Sequence, residues 1–178
     1  MHRPPLGSAL AEQLVAKSGF LKRYADGNPR DLQRLALHFE ITKGRAKLID
    51  EIRAQVDTGK RPSPILHALA KMDFPMIVTT NYDTLIDRAL GLNGKQPVLS
   101  VYKNNEVLDE PTDDYQYDEL TPERPFLVKI HGDIVQKADS IVVTDEDYIQ
   151  MVLRMSDKAS PGGVRACDRN QNSSFKAS

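Results

Sequence analysis

The spacing of apolar residues changes character at Phe74, and that change limits the chain to folds that combine helices with a buried sheet. Upstream, from Ser8 to about Met72, apolar residues recur at helical spacing: Leu10, Leu14 and Val15; Leu32, Leu35 and Phe39; Leu48, Ile49, Ile52 and Val56; Ile65, Leu66 and Leu69. Four amphipathic helices are predicted here, with these side chains in the core. Asn28-Pro29 and Ser63-Pro64 each set a side-chain acceptor before a proline, whose missing N–H costs nothing in a first helical turn, so both mark helix starts. Thr42 is placed to cap the third helix in the same way.

Downstream the apolar residues come in short runs: "FPMIVTT" from Phe74, "PFLVKI" from Pro125 to Ile130, and "SIVV" from Ser140 to Val143. Each reads as a buried strand. The first leads into a helix from Thr84 to Leu90 that stops near Gly91. The third leads into a helix from Asp145 to about Met155, with Thr144 and Asp147 spaced as a capping pair. Strand followed by helix, repeated, predicts an α/β fold: a Rossmann-like parallel sheet flanked by helices, behind an N-terminal mostly helical region. The stretch from Asn104 to Arg124 is acidic and proline-punctuated and reads as a surface loop, with Tyr102, Tyr115 and Tyr117 as anchors. Residues 156–178 hold few apolar residues and several breakers, so a disordered tail is expected after a domain spanning residues 1–155.

Composition narrows the function classes. Among 178 residues, 24 lysines and arginines face 25 acids, a net charge of −1 that offers no footprint for a nucleic-acid backbone or an anionic membrane. The one cysteine, Cys167, permits neither an intrachain disulfide nor a thiolate zinc cluster. No secretory signal or membrane-length apolar run is present, so a soluble, cytoplasmic protein is expected. The P-loop, H-E-x-x-H and G-x-S-x-G patterns are also missing.

In open α/β sheets ligands bind beyond the carboxyl ends of the strands, which directs attention to polar residues just after an apolar run. Two clusters qualify: Thr79-Thr80-Asn81-Tyr82-Asp83, and His131-Gly132-Asp133 after "FLVKI". If their strands are parallel neighbours, Asn81 and His131 emerge on one rim within reach of one ligand. Each has a plainer alternative: Asn81 and Asp83 stand where a helix cap belongs, and His131 suits a strand-end histidine bonded to a backbone carbonyl. A metal held by His131, Asp133 and Asp83 is a further, weaker option.

The succession "IVTTNYDTLIDRAL", "VKIHGDI", "IVVTDEDYIQMV" resembles the sirtuin-like domain family, in particular its bacterial NAD-consuming branch in antiviral defence proteins. The resemblance covers most of residues 5 to 155. Sirtuins proper read Thr-Gln-Asn-Ile-Asp at the first motif; here Thr80 replaces the glutamine and Tyr82 the isoleucine, as in the defence branch. The resemblance implies an NAD hydrolase that cleaves the N-glycosidic bond to release nicotinamide and ADP-ribose. Asn81 would orient a water or the ribose, and His131 would act as general base. Thr80, Asn81, Tyr82, Asp83 and Gly132 would line the NAD site, with Asp83 at the nicotinamide end. NAD is the implied substrate and partner, with a homo-oligomer or a fused effector or sensor domain as further partners. Zinc is not expected, and deacetylation is disfavoured, because the four-cysteine module of the deacetylases cannot be built from Cys167 alone. The family opens with a strand and a Gly-Ala-Gly phosphate loop, whereas this sequence opens at "MHRPPLGSALAEQL". A domain truncated at both ends, with weak or no NAD turnover, is therefore expected. The alternative is a non-catalytic nucleotide-binding or protein-interaction module of a defence protein.

Overall fold

The structure is a computed structural model that describes residues 7–20, 27–101 and 121–158. The loop anchors Tyr102, Tyr115 and Tyr117, and the tail with Cys167, lie outside the described residues. The first part of the chain forms the four expected helices: α1 (Gly7–Ser18), α2 (Leu32–Lys43), α3 (Arg45–Val56) and α4 (Pro64–Ala70). Ser63 caps α4 as expected, accepting from the Leu66 N–H at 3.3 Å with Pro64 at the first helical position.

Two other predicted starts are corrected. Asn28 closes a turn around Pro29, accepting from the Arg30 N–H at 3.0 Å, and α2 begins only after Asp31, which caps Arg34. Thr42 turns its hydroxyl back to the His38 carbonyl at 2.8 Å, so Gly44, at φ 92°, caps α3 with backbone alone. A β-carbon is strained at such a φ, which is why glycine separates α2 from α3.

Three strands follow: β1 (Met76–Thr79), β2 (Val98–Val101) and β3 (Phe126–Lys129), all parallel, in the order β1-β3-β2. The α5 helix (Leu85–Leu92) joins β1 to β2 and, as expected, stops near Gly91. After β3 come a 3-10 turn (Ala138–Ser140) and α6 (Asp145–Lys158). The run "SIVV" is not a strand. It is an irregular segment, fully buried, and Val142 donates to the carbonyl of His131 at 3.0 Å. Its apolar residues report burial, which a strand and an extended connection share.

Two cores result. One unites α1, α2 and α3 with Ile134, Ile141 and Val143 from the segment after β3. The other packs Ala70 of α4 and Ile86, Ala89 and Leu90 of α5 against Leu127, Ile77 and Leu99, which share one rung of the sheet. Adjacent rungs point to the opposite face, where Met76 (48 %) and Val78 (58 %) are exposed, so β1 is covered on one face and is not the buried strand expected. The strand order also puts it at an edge of the described sheet. Ile65 (69 %) and Leu69 of α4 are likewise exposed, contrary to their expected place in the core. Tyr82, just past β1, packs against the helical core, so the carboxyl rim of the sheet is the seam between the two packing units.

Candidate active site at the carboxyl ends of β1 and β3

The register pairs Thr79 with Lys129, so the chain leaves both strands side by side, and Asn81 and His131 each follow two residues later. Bonds across the rim keep the two tips together. The Ile130 N–H donates to the Thr79 carbonyl at 3.0 Å, and the Ile134 N–H donates to the Tyr82 carbonyl at 2.8 Å.

At the β1 tip the Thr79 hydroxyl accepts from the Asn81 N–H at 3.0 Å and turns the chain out of the sheet. Thr80 and Asn81 are exposed. Asp83 is buried and accepts from the Leu85 N–H at 2.9 Å, one residue before the helix cap. That cap is Thr84, which makes no side-chain capping bond, so neither Asn81 nor Asp83 is the cap itself. Burial pushes the Asp83 carboxyl up, against the pull of the Leu85 N–H and Lys129. Below it, Asp57 accepts from both the N–H and the hydroxyl of Thr84, at 2.8 and 2.7 Å, and pairs with Arg88 at 2.7 Å. Burial opposes the charge on Asp57, but the Thr84 bonds and the Arg88 cation outweigh it and hold the carboxyl below its ordinary range.

At the β3 tip the decisive residue is one that the sequence did not single out. Lys129 is 0 % exposed. Its ammonium donates to the Asp83 carbonyl and to Asp133 Oδ2, each at 2.7 Å. Asp87 Oδ2 lies 2.8 Å away but out of hydrogen-bond alignment, so that contact is ionic. Asp133 Oδ1 accepts from the Val135 and Gln136 N–H groups at 2.8 and 2.7 Å. One buried cation thus ties β3 to the β1 tip, to the first turn of α5 and to the loop after His131. With its oxygens so engaged, Asp133 is not free to serve the metal option, and no group of three metal-ligating side chains is assembled among the described residues.

Gly132 has φ 88°, and a β-carbon there would collide with the backbone carbonyl of Ser140. Glycine after His131 is therefore a requirement of the turn itself. His131 is half-buried, and burial draws its pKa below the ordinary value, against the opposing pull of the Thr80 backbone. A lowered pKa favours the neutral imidazole, whose unprotonated nitrogen is a proton acceptor. Its ring meets Tyr148 edge to face, with centroids 5.3 Å apart. Burial, then the neighbouring Tyr148 and Asp83, push the phenol of Tyr82 up to about 12, so it stays neutral.

A separate open cleft of about 430 Å³ lies between α2 and α6, lined by Glu40, Arg45, Thr144, Asp147 and Gln150 among others. It holds neither strand tip, and Arg45 there already pairs with Glu40 and Asp147, each at 2.9 Å.

Residues 75–169 match the SIR2-like domain family, a span that covers more than half of the chain. The NAD(+) hydrolase ThsA of Cytobacillus dafuensis is 28 % identical over 151 residues, covering 79 % of this chain and 28 % of that protein. The NAD(+) hydrolase ThsA of Acinetobacter baumannii (strain 532279) is 29 % identical over 120 residues, 66 % of this chain and 22 % of that protein. Defense-associated sirtuin 2 of Bacillus subtilis is 32 % identical over 97 residues, 53 % of this chain and 8 % of that protein. The chain thus spans under a third of the length of each of these relatives. The matched span carries β1, β3 and both of their tips, and the chain belongs to the SIR2-like domain family.

Proposed function

We propose that this domain cleaves NAD at the rim between the β1 and β3 tips, releasing nicotinamide and ADP-ribose. The observation that carries the reading is the delivery of Asn81 and His131 from adjacent parallel strands, two residues beyond the paired Thr79 and Lys129. In the reaction the C1′–N bond breaks and its electron pair passes into the pyridinium ring, so nicotinamide leaves neutral. A water oxygen bonds to C1′ and its proton goes to solvent. The developing ribose cation needs positioning and proton management rather than a strong nucleophile. Asn81, exposed at the tip, orients the water and ribose, while the neutral His131 ring acts as general base towards a ribose hydroxyl. Thr80, Tyr82 and Gly132 line the site, and Asp83 shapes its nicotinamide end through the bond it accepts from the Leu85 N–H.

The relatives' names support NAD as the substrate and a role in defence. In this reading the module works in the cytoplasm, in a homo-oligomer or beside a fused effector or sensor domain. Among the described residues no helix is long and apolar enough to cross a membrane. A second reading, a nucleotide-binding or protein-interaction module without turnover, is favoured by one fact: the Asp83 carboxylate is buried and already engaged with Leu85. Purified protein incubated with NAD decides between them. Release of nicotinamide that falls about 10²-fold or more in His131→Ala and in Asn81→Ala supports cleavage at this rim. NAD binding without release supports the second reading, and equal release by the wild type and His131→Ala removes the assigned base.

A further inference from the structure

We propose that Tyr148 is the positioning residue for His131: its ring, delivered by the first turn of α6, fixes the plane of the imidazole at the rim between the two strand tips. The proposal rests on the reading of His131 as general base. The rings meet at 82° with centroids 5.3 Å apart, inside the range of attractive edge-to-face pairs. Neither partner is loosely placed. The Val142 N–H holds the His131 carbonyl at 3.0 Å, and Val142 also packs with Met151 and with the Tyr148 ring.

The start of α6 is itself anchored. Asp147 Oδ2 accepts from the Val143 and Thr144 N–H groups, each at 3.0 Å, while the Thr144 hydroxyl accepts from the Asp147 N–H at 3.1 Å. Arg45 of α3 reaches both Asp147 and the Ile141 carbonyl, at 2.9 and 2.6 Å. The capping pair therefore does more than start a helix. It sets the height at which the Tyr148 ring meets the imidazole.

A general base must be held within a narrow orientation to act, and a half-buried histidine with a free ring torsion would not be. Tyr148 meets the imidazole edge to face and closes one side of it to water. The titratable groups on the surrounding elements are Tyr82 and Asp83 on the β1 tip, Lys129 and Asp133 at the β3 tip and Asp145, Glu146 and Asp147 in the first turn of α6. None of these charges is among the causes of the His131 shift, of which burial is the largest. Asp133 and Asp147 are paired with Lys129 and Arg45, and burial pushes both phenols and Asp83 up. Water exclusion is thus the effect that the ring exerts on His131.

The test compares wild type, Tyr148→Phe and Tyr148→Leu by the NMR titration of the His131 imidazole, assigned with His131→Ala, and by kcat and KM for nicotinamide release. Tyr148→Met, which fills more of the vacated space, is a second ring-less variant should the leucine variant fold poorly. Tyr148→Phe keeps the ring contact and is expected to match the wild type in both readouts. In the ring-less variants the His131 midpoint should move up towards about 6.5. Their kcat should fall about tenfold with KM within about twofold, as misalignment of a base predicts. An unmoved midpoint, a moved midpoint with unchanged kcat, or a phenylalanine variant that behaves like the leucine one overturns the proposal. A wild type that releases no nicotinamide defeats the functional reading instead, and the titration alone then decides the positioning role.

Discussion

The tips of β1 and β3 each present one candidate functional side chain, yet they are secured in different ways. The β3 tip is locked from within: Lys129 is fully buried, Asp133 spends both oxygens on fixed donors, and Gly132 fits under the Ser140 carbonyl. The β1 tip is held from behind, where Asp57 and Arg88 hold Thr84 and Asp83 accepts from Leu85, and across the rim by Ile130, Ile134 and Lys129 at its backbone carbonyls, while the Thr80 and Asn81 side chains face solvent. Mutational cost should therefore separate cleanly. Changes under the β3 tip act on stability, and changes at the outer end of the β1 tip act on chemistry.

The largest effect is expected from Lys129→Met, which strands Asp133 and Asp87 without their cation. Breaking one side of a buried pair costs about 3–5 kcal/mol, measurable by urea unfolding. Adding Asp133→Asn should recover part of that loss, because the remaining unpaired charge is halved. Gly132→Ala comes next. The strained φ and the collision with Ser140 should cost about 1–3 kcal/mol in the same assay, and a neutral result would show that the turn can relax.

Acid should expose the footing of the β1 tip. Asp57 and Asp147 have folded pKa values below the ordinary carboxylate range, so the folded state binds fewer protons than the unfolded one as the solution is acidified. Their contribution is fully present above about pH 4 and is lost as pH falls through the lowered folded values. Asp83, pushed up, acts in the opposite sense. Urea midpoints should thus fall below about pH 4, and less steeply in Asp57→Asn than in the wild type. The smallest effect on stability belongs to Asn81→Ala, within about 0.5 kcal/mol, since the side chain is exposed. A loss comparable with that of Gly132→Ala would erase the contrast between the tips.

What could be read from the sequence follows from the range of each interaction. The Thr144 and Asp147 cap and the Ser63-Pro64 start depend on residues three apart or fewer, and both are formed as the spacing implies. β1 and β3 declare themselves by apolar runs that end in polar clusters. β2 escaped notice because "VLSV" is only four residues long and carries a serine. "SIVV" misled in the opposite direction, being apolar because it fills the helical core. Lys129 was illegible because a lysine in a strand ordinarily signals a solvent-facing position, and two of its partners, Asp83 and Asp87, lie far upstream in the chain. Tyr148 stood inside a recognised motif, but its contact with His131 depends on where α6 docks, which no local spacing encodes.

That the two tips form one site is the claim on which the rest depends, and NMR of the Asn81 side-chain amide and the His131 imidazole during an NAD titration tests it most directly. Both groups are within reach of the same rim, so both signals should move along one saturation curve with a single dissociation constant. Movement of one without the other, or different curves for the two, would contradict a shared site.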